Sequence, residues 1–469
     1  LVVRIFRRSF AIAGVVGIAG FGAHATAAPV SPGHWELLEP ASAGSPGKTA
    51  DPAVFRTADG ILHVAWIHQS GPLDQSLLTE SFAADGTLPG LVSTAAAHWA
   101  NLSDGAFLEG VGGPRLFFGG QLSTTYGSPL GLMTATTVGQ NWSPPAEIAN
   151  TYGTVSAAPG SGAVTYQALE SGSRPAVHVG LAPSPLLFPT SGIPGIAEAS
   201  PSIVSDGTQA TVAWCAFGDG TGGVFTQRLD LISNQMVGSP AVLPDSTTSY
   251  GGVQHATCVL QSEVSRRTPM AGRKGGGVFV AGTTGYPMLT GVVVWKVGGA
   301  TLVADRSSVA HSEPEVIADP SGRIWVGWVQ AGSRAPVLVV RRSNPTATVL
   351  GAPVTVKAPG SGQLGSFEAN ATARQLDVIA QFTATGANSI QHTIILPGLT
   401  LQRLRTTRRS HGRVAVTYRV LDAGDPVAGA KVTNGLTHGT TAANGKVTLR
   451  MKRSTRATAT KPGYTKATV

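Results

Sequence analysis

Polar and apolar residues alternate over short runs along most of this chain. LHVAW (62–66), ATVAW (210–214) and IWVGW (324–328) each place apolar residues at every second position or closer and end in Trp. A period of two is that of a strand, whose side chains alternate between the faces of a sheet. Each run follows a similar phrase: DPAVFRTADG, SPSIVSDGT and SEPEVIADPSG. A proline-led apolar run meets a turn rich in Asp, Ser and Gly, and a second strand follows. AVTY (163–166), GGVFVAG (276–282) and LDVIAQF (376–382) keep the shape and lose the Trp. No amphipathic helical period is sustained beyond the N-terminus.

First strands are expected to begin near Pro52, Leu102, Thr154, Pro201, Val253, Pro314 and Ser366, 47 to 61 residues apart. About seven units of about fifty residues, each with several short strands, predict an all-β, about seven-bladed β-propeller. The Trp is expected to pack between blades, with its N–H reaching a backbone carbonyl. HWELLEP (34–40) is similar to the outer strands of other units, and the last unit lacks one. The N-terminal strand is therefore expected to complete the last blade; the alternative is a six-bladed ring with a separate strand. The longest unit carries SEVSRRTPMAGRKGGG (262–277), expected as an exposed loop between its first and second strands that presents Arg266, Arg267, Arg273 and Lys274.

Composition agrees with a turn-rich β chain: 60 Gly and 31 Pro in 469 residues, with 13% charged. Residues 1–27 carry Arg4, Arg7 and Arg8, then an apolar run over 10–23 and the small residues Ala25 and Ala27. This is the pattern of a secretory signal peptide, cut between Ala27 and Ala28. An uncleaved anchor is the alternative, although the apolar run is short for a membrane span. No later segment reads as transmembrane. Export makes Cys215 and Cys258 a candidate disulfide; two buried thiols are the alternative.

Charge is unevenly divided. Residues 28–398, the expected propeller, hold 17 Lys and Arg against 23 Asp and Glu. Residues 399–469 hold fourteen cations against Asp422 and Asp425 alone, a net of +12. We read 399–412 as a basic linker and 413–469 as a small β-sandwich. PVAGAKV (426–432), TAANGKV (441–447) and KPGY (461–464) resemble the carboxypeptidase regulatory-like and bacterial Ig-like domains. That resemblance implies a non-catalytic spacer or adhesion module. The excess charge implies an anionic cell-envelope polymer as partner, met by Arg403, Arg405, Arg408, Arg409 and Arg413.

Chemistry is harder to find. H-E-x-x-H, G-x-S-x-G and zinc-spaced Cys/His sets are missing. SPGKT (45–49) has Ser42 where a phosphate loop needs Gly, and GDGTGG (218–223) reads as a hairpin. The repeated turns resemble the Asp-boxes of sialidases but depart from their spacing. Asp319 and Gly322 have two residues between them, while Asp59-Gly60 and Asp206-Gly207 have none. That resemblance implies an arginine triad and a Tyr/Glu pair. Arg115, Arg174, Arg228 and Tyr166 are available, but nothing in their local context selects them. A glycosidase carboxylate pair would have to come from Glu109, Glu170, Glu198, Glu313, Glu315 and Glu368. Glu313 and Glu315, flanking Pro314, are the candidates for a ligand face. No catalytic residue, cofactor site or metal site is assigned, and isolated histidines such as His63 and His311 read as packing or surface residues. The expected function is a secreted, non-catalytic binding or scaffold protein. Its partners would be an extracellular glycan or protein and the anionic envelope polymer, with no nucleic acid. The alternative is a sialidase-like glycoside hydrolase acting on extracellular glycans.

Overall fold

The computed structural model describes residues 31–39 and 48–469, with interruptions, chiefly at 84–91, 123–129, 183–187, 190–196, 259–266 and 409–412. The expected signal peptide, Arg266, Arg409 and the Asp206-Gly207 turn lie outside the described residues. The elements are β-strands throughout, and no described helix is long and apolar enough to cross a membrane.

The strands form antiparallel sheets in chain order. The first strands of seven of them are Lys48–Arg56, Asn101–Gly110, Val155–Ala158, Ala197–Ser205, Met270–Gly272, His311–Ala318 and Gln363–Ala371. We number the sheets one to seven in that order. Each first strand touches the next, and that of sheet seven returns to that of sheet one, so the sheets close into a propeller-type ring. Glu36–Glu39 is not a separate strand. It pairs antiparallel with Ala387–Ile395 as the fourth strand of sheet seven, Glu36 lying opposite His392. Trp35 secures it by donating its indole N–H to the Lys357 carbonyl of sheet six (2.8 Å).

Alternation explains why the ring holds together. Both faces of each sheet meet a neighbour, and each junction has its own apolar cluster. Trp66 fills the junction of sheets seven and one, Trp214 that of three and four, and Trp328 that of five and six. One expectation needs correction. The indole nitrogens of Trp214, Trp295, Trp325 and Trp328 are buried without an acceptor among the described residues. These rings sit where two apolar sheet faces meet and backbone polar groups are already used in the ladders, so shape, not hydrogen bonding, fixes them. Strand glycines make room for such rings. A Cβ on Gly282 would lie 2.6 Å from the Trp295 ring, and one on Gly120 would lie 2.7 Å from Trp99.

Two features depart from the repeat read in the sequence. Val253–Ala256 does not start a sheet; it forms a hairpin with Thr247–Tyr250. The first strand of sheet five is Met270–Gly272 and the second Val278–Thr284, so Arg273 and Lys274 do lie between the first two strands, while Arg267 precedes the first. The cations of this basic stretch are not all solvated. Arg273 Nη1 donates to the carbonyls of Gly322 (3.2 Å) and Pro345 (2.8 Å), stapling sheet five to the turns of sheet six. Cys215, in the second strand of sheet four, is disulfide-bonded to Cys258 with 6.0 Å between Cα atoms.

The C-terminal residues form two further sheets over a shared core of Leu401, Val416, Tyr418, Val432, Leu449 and Ala459. Thr400–Arg408, expected within a linker, is an edge strand paired with Val414–Asp422. Leu399 and Leu401 enter the core and pin it there. This unit is bound to sheet six. Arg342 pairs with Asp422, both buried, and Arg323 reaches Asp425 at 2.9 Å. The Arg342 guanidinium also lies 5.4 Å from the Trp325 ring centre and 5.8 Å from that of Tyr464. A buried charge left alone costs several kcal/mol, so such a pair ties the two units strongly.

The seam between sheets seven and one holds a second buried polar group. Arg56 of sheet one meets Asp377 at 2.6 Å, and His392 Nε2 lies 3.1 Å from the same carboxylate. Glu80 lies in the third strand of sheet one and is 8% exposed. Burial, then the nearby charge of Glu36 on the closing strand, pushes its carboxyl from the ordinary 4.5 up to about 7. The folded protein therefore binds this proton more tightly than the unfolded chain. The stability it supplies is complete below pH 4.5 and is lost as pH rises to about 7. Glu80→Gln should leave the Tm near pH 4.5 unchanged and raise stability at pH 8 by about 2 kcal/mol, the full linkage value reduced by solvent screening. Thermal unfolding at both pH values checks this.

Candidate functional site

The axial strands share a local irregularity that shapes the centre of the ring. Proline has no N–H to give to a ladder, so a strand containing one bulges there. The register breaks between Ala50 and Ala53, Ala199 and Ser202, and Ser312 and Glu315, where Pro52, Pro201 and Pro314 stand. Sheet seven breaks at the same place without proline, between Leu364 and Phe367. The residues just before two of these prolines, Ser200 and Glu313, take positive φ values of 56° and 50°. Such backbone is costly for a residue with a side chain and persists only when its surroundings hold it.

At Ser200 the hydrogen bonds that hold it are visible. The Gln167 amide donates to the Thr154 carbonyl (3.0 Å), and the Ser200 amide donates to Gln167 Oε1 (3.3 Å). Thr268 donates to the Ser200 carbonyl through its amide (2.9 Å) and its hydroxyl (2.7 Å). A belt of hydrogen bonds thus runs from sheet three through four to five. Arg267, adjacent to Thr268, then pairs with Glu368 in the first strand of sheet seven. Sheet six lies between those two sheets in the ring, so the pair meets on the axial side of it.

Glu313 and Glu315 lie in the first strand of sheet six, both half-buried and both engaged in interactions. Beside them, Ser312 and His311 line a cleft of about 300 Å³ with Gln363 and Leu364 of sheet seven. His311 Nε2 lies 2.9 Å from Asp305 Oδ2 and 3.1 Å from Ser307 Oγ. The three residue types suggest a nucleophile relay, but the geometry excludes one. A relay needs the carboxylate and hydroxyl on opposite ring nitrogens, and here both use Nε2. Burial pulls the His311 pKa down despite the neighbouring carboxylate.

Other residues named from the sequence are dispersed. Glu198 is buried between sheets three and four, accepting the Val177 amide at 3.4 Å, and Glu109 is exposed. Tyr166 stacks on His178, and burial pushes its phenol up to about 12, away from nucleophilic use. Arg115 donates to Thr134 and covers the Phe117 ring. Arg228 is exposed on the third strand of sheet four. Tyr166, Arg115 and Arg228 stand on second and third strands of three sheets, not on the axial strands. Asp319 and Asp59 cap their own turns, accepting from Ser321 and Arg323 and from Thr57 and Ile61. No cluster of metal-binding side chains occurs among the described residues. Arg403, Arg405, Arg408 and Arg413 are exposed on and beside the edge strand of the C-terminal unit.

No protein-family model matches the chain, and no curated protein does. Solved structures of similar shape include a protein of unknown function from Dyadobacter fermentans. It is 11% identical, with 78% of this chain and 98% of that one covered at a TM-score of 0.43. A streptogramin B lyase is 9% identical, covering 77% and 97% at 0.40. The Trypanosoma rangeli sialidase bound to the inhibitor DANA is 10% identical over 74% of this chain and 54% of its own, also at 0.40. Likenesses this distant assign neither activity nor ligand.

Glu368→Gln and Arg267→Ala should each destabilise the ring by about 1–2 kcal/mol. The double variant should cost less than their sum, because each single change strands a partly buried charge. A double-mutant cycle in urea checks the coupling; strict additivity would show that the two side chains do not pair.

Proposed function

We propose that this chain is a secreted, non-catalytic binding or scaffold protein. In this reading a seven-bladed propeller presents its axial face to an extracellular ligand. An Ig-like sandwich, fixed to the ring, associates with an anionic polymer of the cell envelope. The observation that carries the reading is where the sandwich places its charges. Its two carboxylates, Asp422 and Asp425, are both engaged by ring arginines. Everything left to face outward is cationic or neutral, and a one-signed surface attracts polyanions at range.

Other features support the binding reading over the hydrolase. Glu368 is neutralised by Arg267. The sandwich contacts the turn between the first two strands of sheet six and the end of its third strand. The starts of the axial strands, with the cleft beside His311, lie at the opposite ends of those strands and stay clear of it. One molecule could therefore hold the envelope on one side and a ligand on the other.

Deleting 399–469 is a poor test, because it would strand Arg342 as a buried, unpaired charge. The full chain with Arg403, Arg405, Arg408 and Arg413 all changed to Gln is better. It should remain folded, with an unchanged Tm, and should be washed from envelope fractions at a lower salt concentration than the parent protein. Equal retention of both proteins across 50–500 mM NaCl would refute envelope association through this charge.

A further inference from the structure

Resting on that reading, we infer that the polyanion is held by the outer face of the first sandwich sheet, centred on the Thr417–Thr448 pair, and that it is a flexible chain of short polyol units joined by phosphodiesters. The sheet is built from Thr400–Arg408, Val414–Asp422 and Lys446–Met451, with Val414–Asp422 in the middle. Val416, Tyr418 and Val420 point into the core. By alternation Thr417 and Arg419 point outward, as do their ladder partners. Thr417 lies opposite Arg405 on one side and Thr448 on the other; Arg419 lies opposite Lys446, and Arg450 lies opposite Ala415.

Four cations thus surround two hydroxyls on one flat face. Arg405, Lys446 and Arg450 are exposed and Arg419 is half-buried. None of the four forms an ion pair among the described residues, because the unit's two carboxylates are used at the ring. Arg419 and Lys446 are direct cross-strand partners, an arrangement that destabilises a sheet when the charges are alike. Protection of a sheet edge by cations accounts for Arg403 and Arg408, which stand on the edge strand. It accounts equally for Lys446 and Arg450 on the opposite edge strand, but not for Arg419, which stands on the central strand directly opposite Lys446. An anion between the two side chains relieves the repulsion.

The same face decides between kinds of polyanion. No aromatic or carboxylate stands at its outward positions, so it offers no platform for stacking sugar rings or bases. It offers guanidinium and ammonium groups for phosphate oxygens and a pair of hydroxyls, 2.9 Å apart, for polyol hydroxyls. Lys446 and Arg450, four residues apart on one strand, are separated by about 13 Å, so the chain would be gripped at successive charges.

The test uses the full chain and three probes: poly(glycerol phosphate), polygalacturonate and vesicles containing phosphatidylglycerol. Affinity is measured at several salt concentrations for the parent, for Arg419→Gln with Lys446→Gln, and for Arg403→Gln with Arg408→Gln. We expect the parent to bind poly(glycerol phosphate) at least tenfold more tightly than either other probe. The face variant should lose tenfold or more, with the slope of log K against log salt reduced by roughly 1.5 for two lost phosphate contacts. Its Tm should be unchanged or raised, since a like-charge pair is removed. The edge variant should lose threefold or less. Equal losses from edge and face would overturn the assignment to the face while leaving envelope association standing. Equal binding of polygalacturonate or vesicles would overturn the ligand chemistry. A parent that binds none of the probes would overturn both this inference and the function on which it rests.

Discussion

The fold depends on closing a ring. Seven sheets in series bury both faces of each sheet only if the last meets the first; otherwise two apolar faces remain in water. The pairing of Glu36–Glu39 with Ala387–Ile395 completes sheet seven with a strand from the far end of the sequence. The junction it borders is held by Trp66, Phe82, Ile379 and Ile390. Its polar groups are arranged around that requirement: Arg56 pairs with Asp377 across the seam, and His392 Nε2 meets the same carboxylate from within sheet seven. Glu80 is the exception, a carboxyl confined where the ring can least tolerate a charge.

A second constraint sets the relation of the two units. The C-terminal sandwich could have hung from the ring on a mobile linker. Instead Thr400–Arg408 is drawn into its sheet, and Arg342 and Arg323 of the ring take up its two carboxylates. A parallel bridge between Gly398 and Thr465 adds a backbone link at the same junction. The electrostatics of the outer surface follow from this docking. The sandwich is no more basic in composition than its sequence makes it, but its negative charge is sorted to one end.

Much of the architecture was legible in the sequence because it is written in period-two patterning, and patterning directly reports burial on alternating faces. LHVAW, ATVAW and IWVGW are second strands of their sheets, and HWELLEP contains the closing strand. Sheet five is hidden in the sequence because its first strand is only Met270–Gly272, too short to show a period, and the hairpin at 247–256 imitates one. The edge strand 400–408 looks like a linker in sequence because an edge needs few apolar residues; of its three leucines, Leu399 and Leu401 enter the core and Leu404 is exposed. The axial pairing of Arg267 with Glu368 could not be read at all, since it joins residues 101 positions apart through ring geometry alone. For the sandwich face, the scarcity of acids in a basic module was the available clue. Which cations share a face depends on register, which the alternation of 414–422 and 446–451 fixes only once the strands are paired.

The ion pairs between ring and sandwich also have a mechanical meaning. If the sandwich is held by a surface and a ligand pulls on the ring, the load passes through Arg342, Arg323 and the backbone bridge at Gly398 into sheets six and seven. Sheet seven is also the one completed by the closing strand, whose Trp35 is bonded back to sheet six. Tension would therefore enter the ring at its clasp, making the short strand Glu36–Glu39 the mechanical fuse of the molecule.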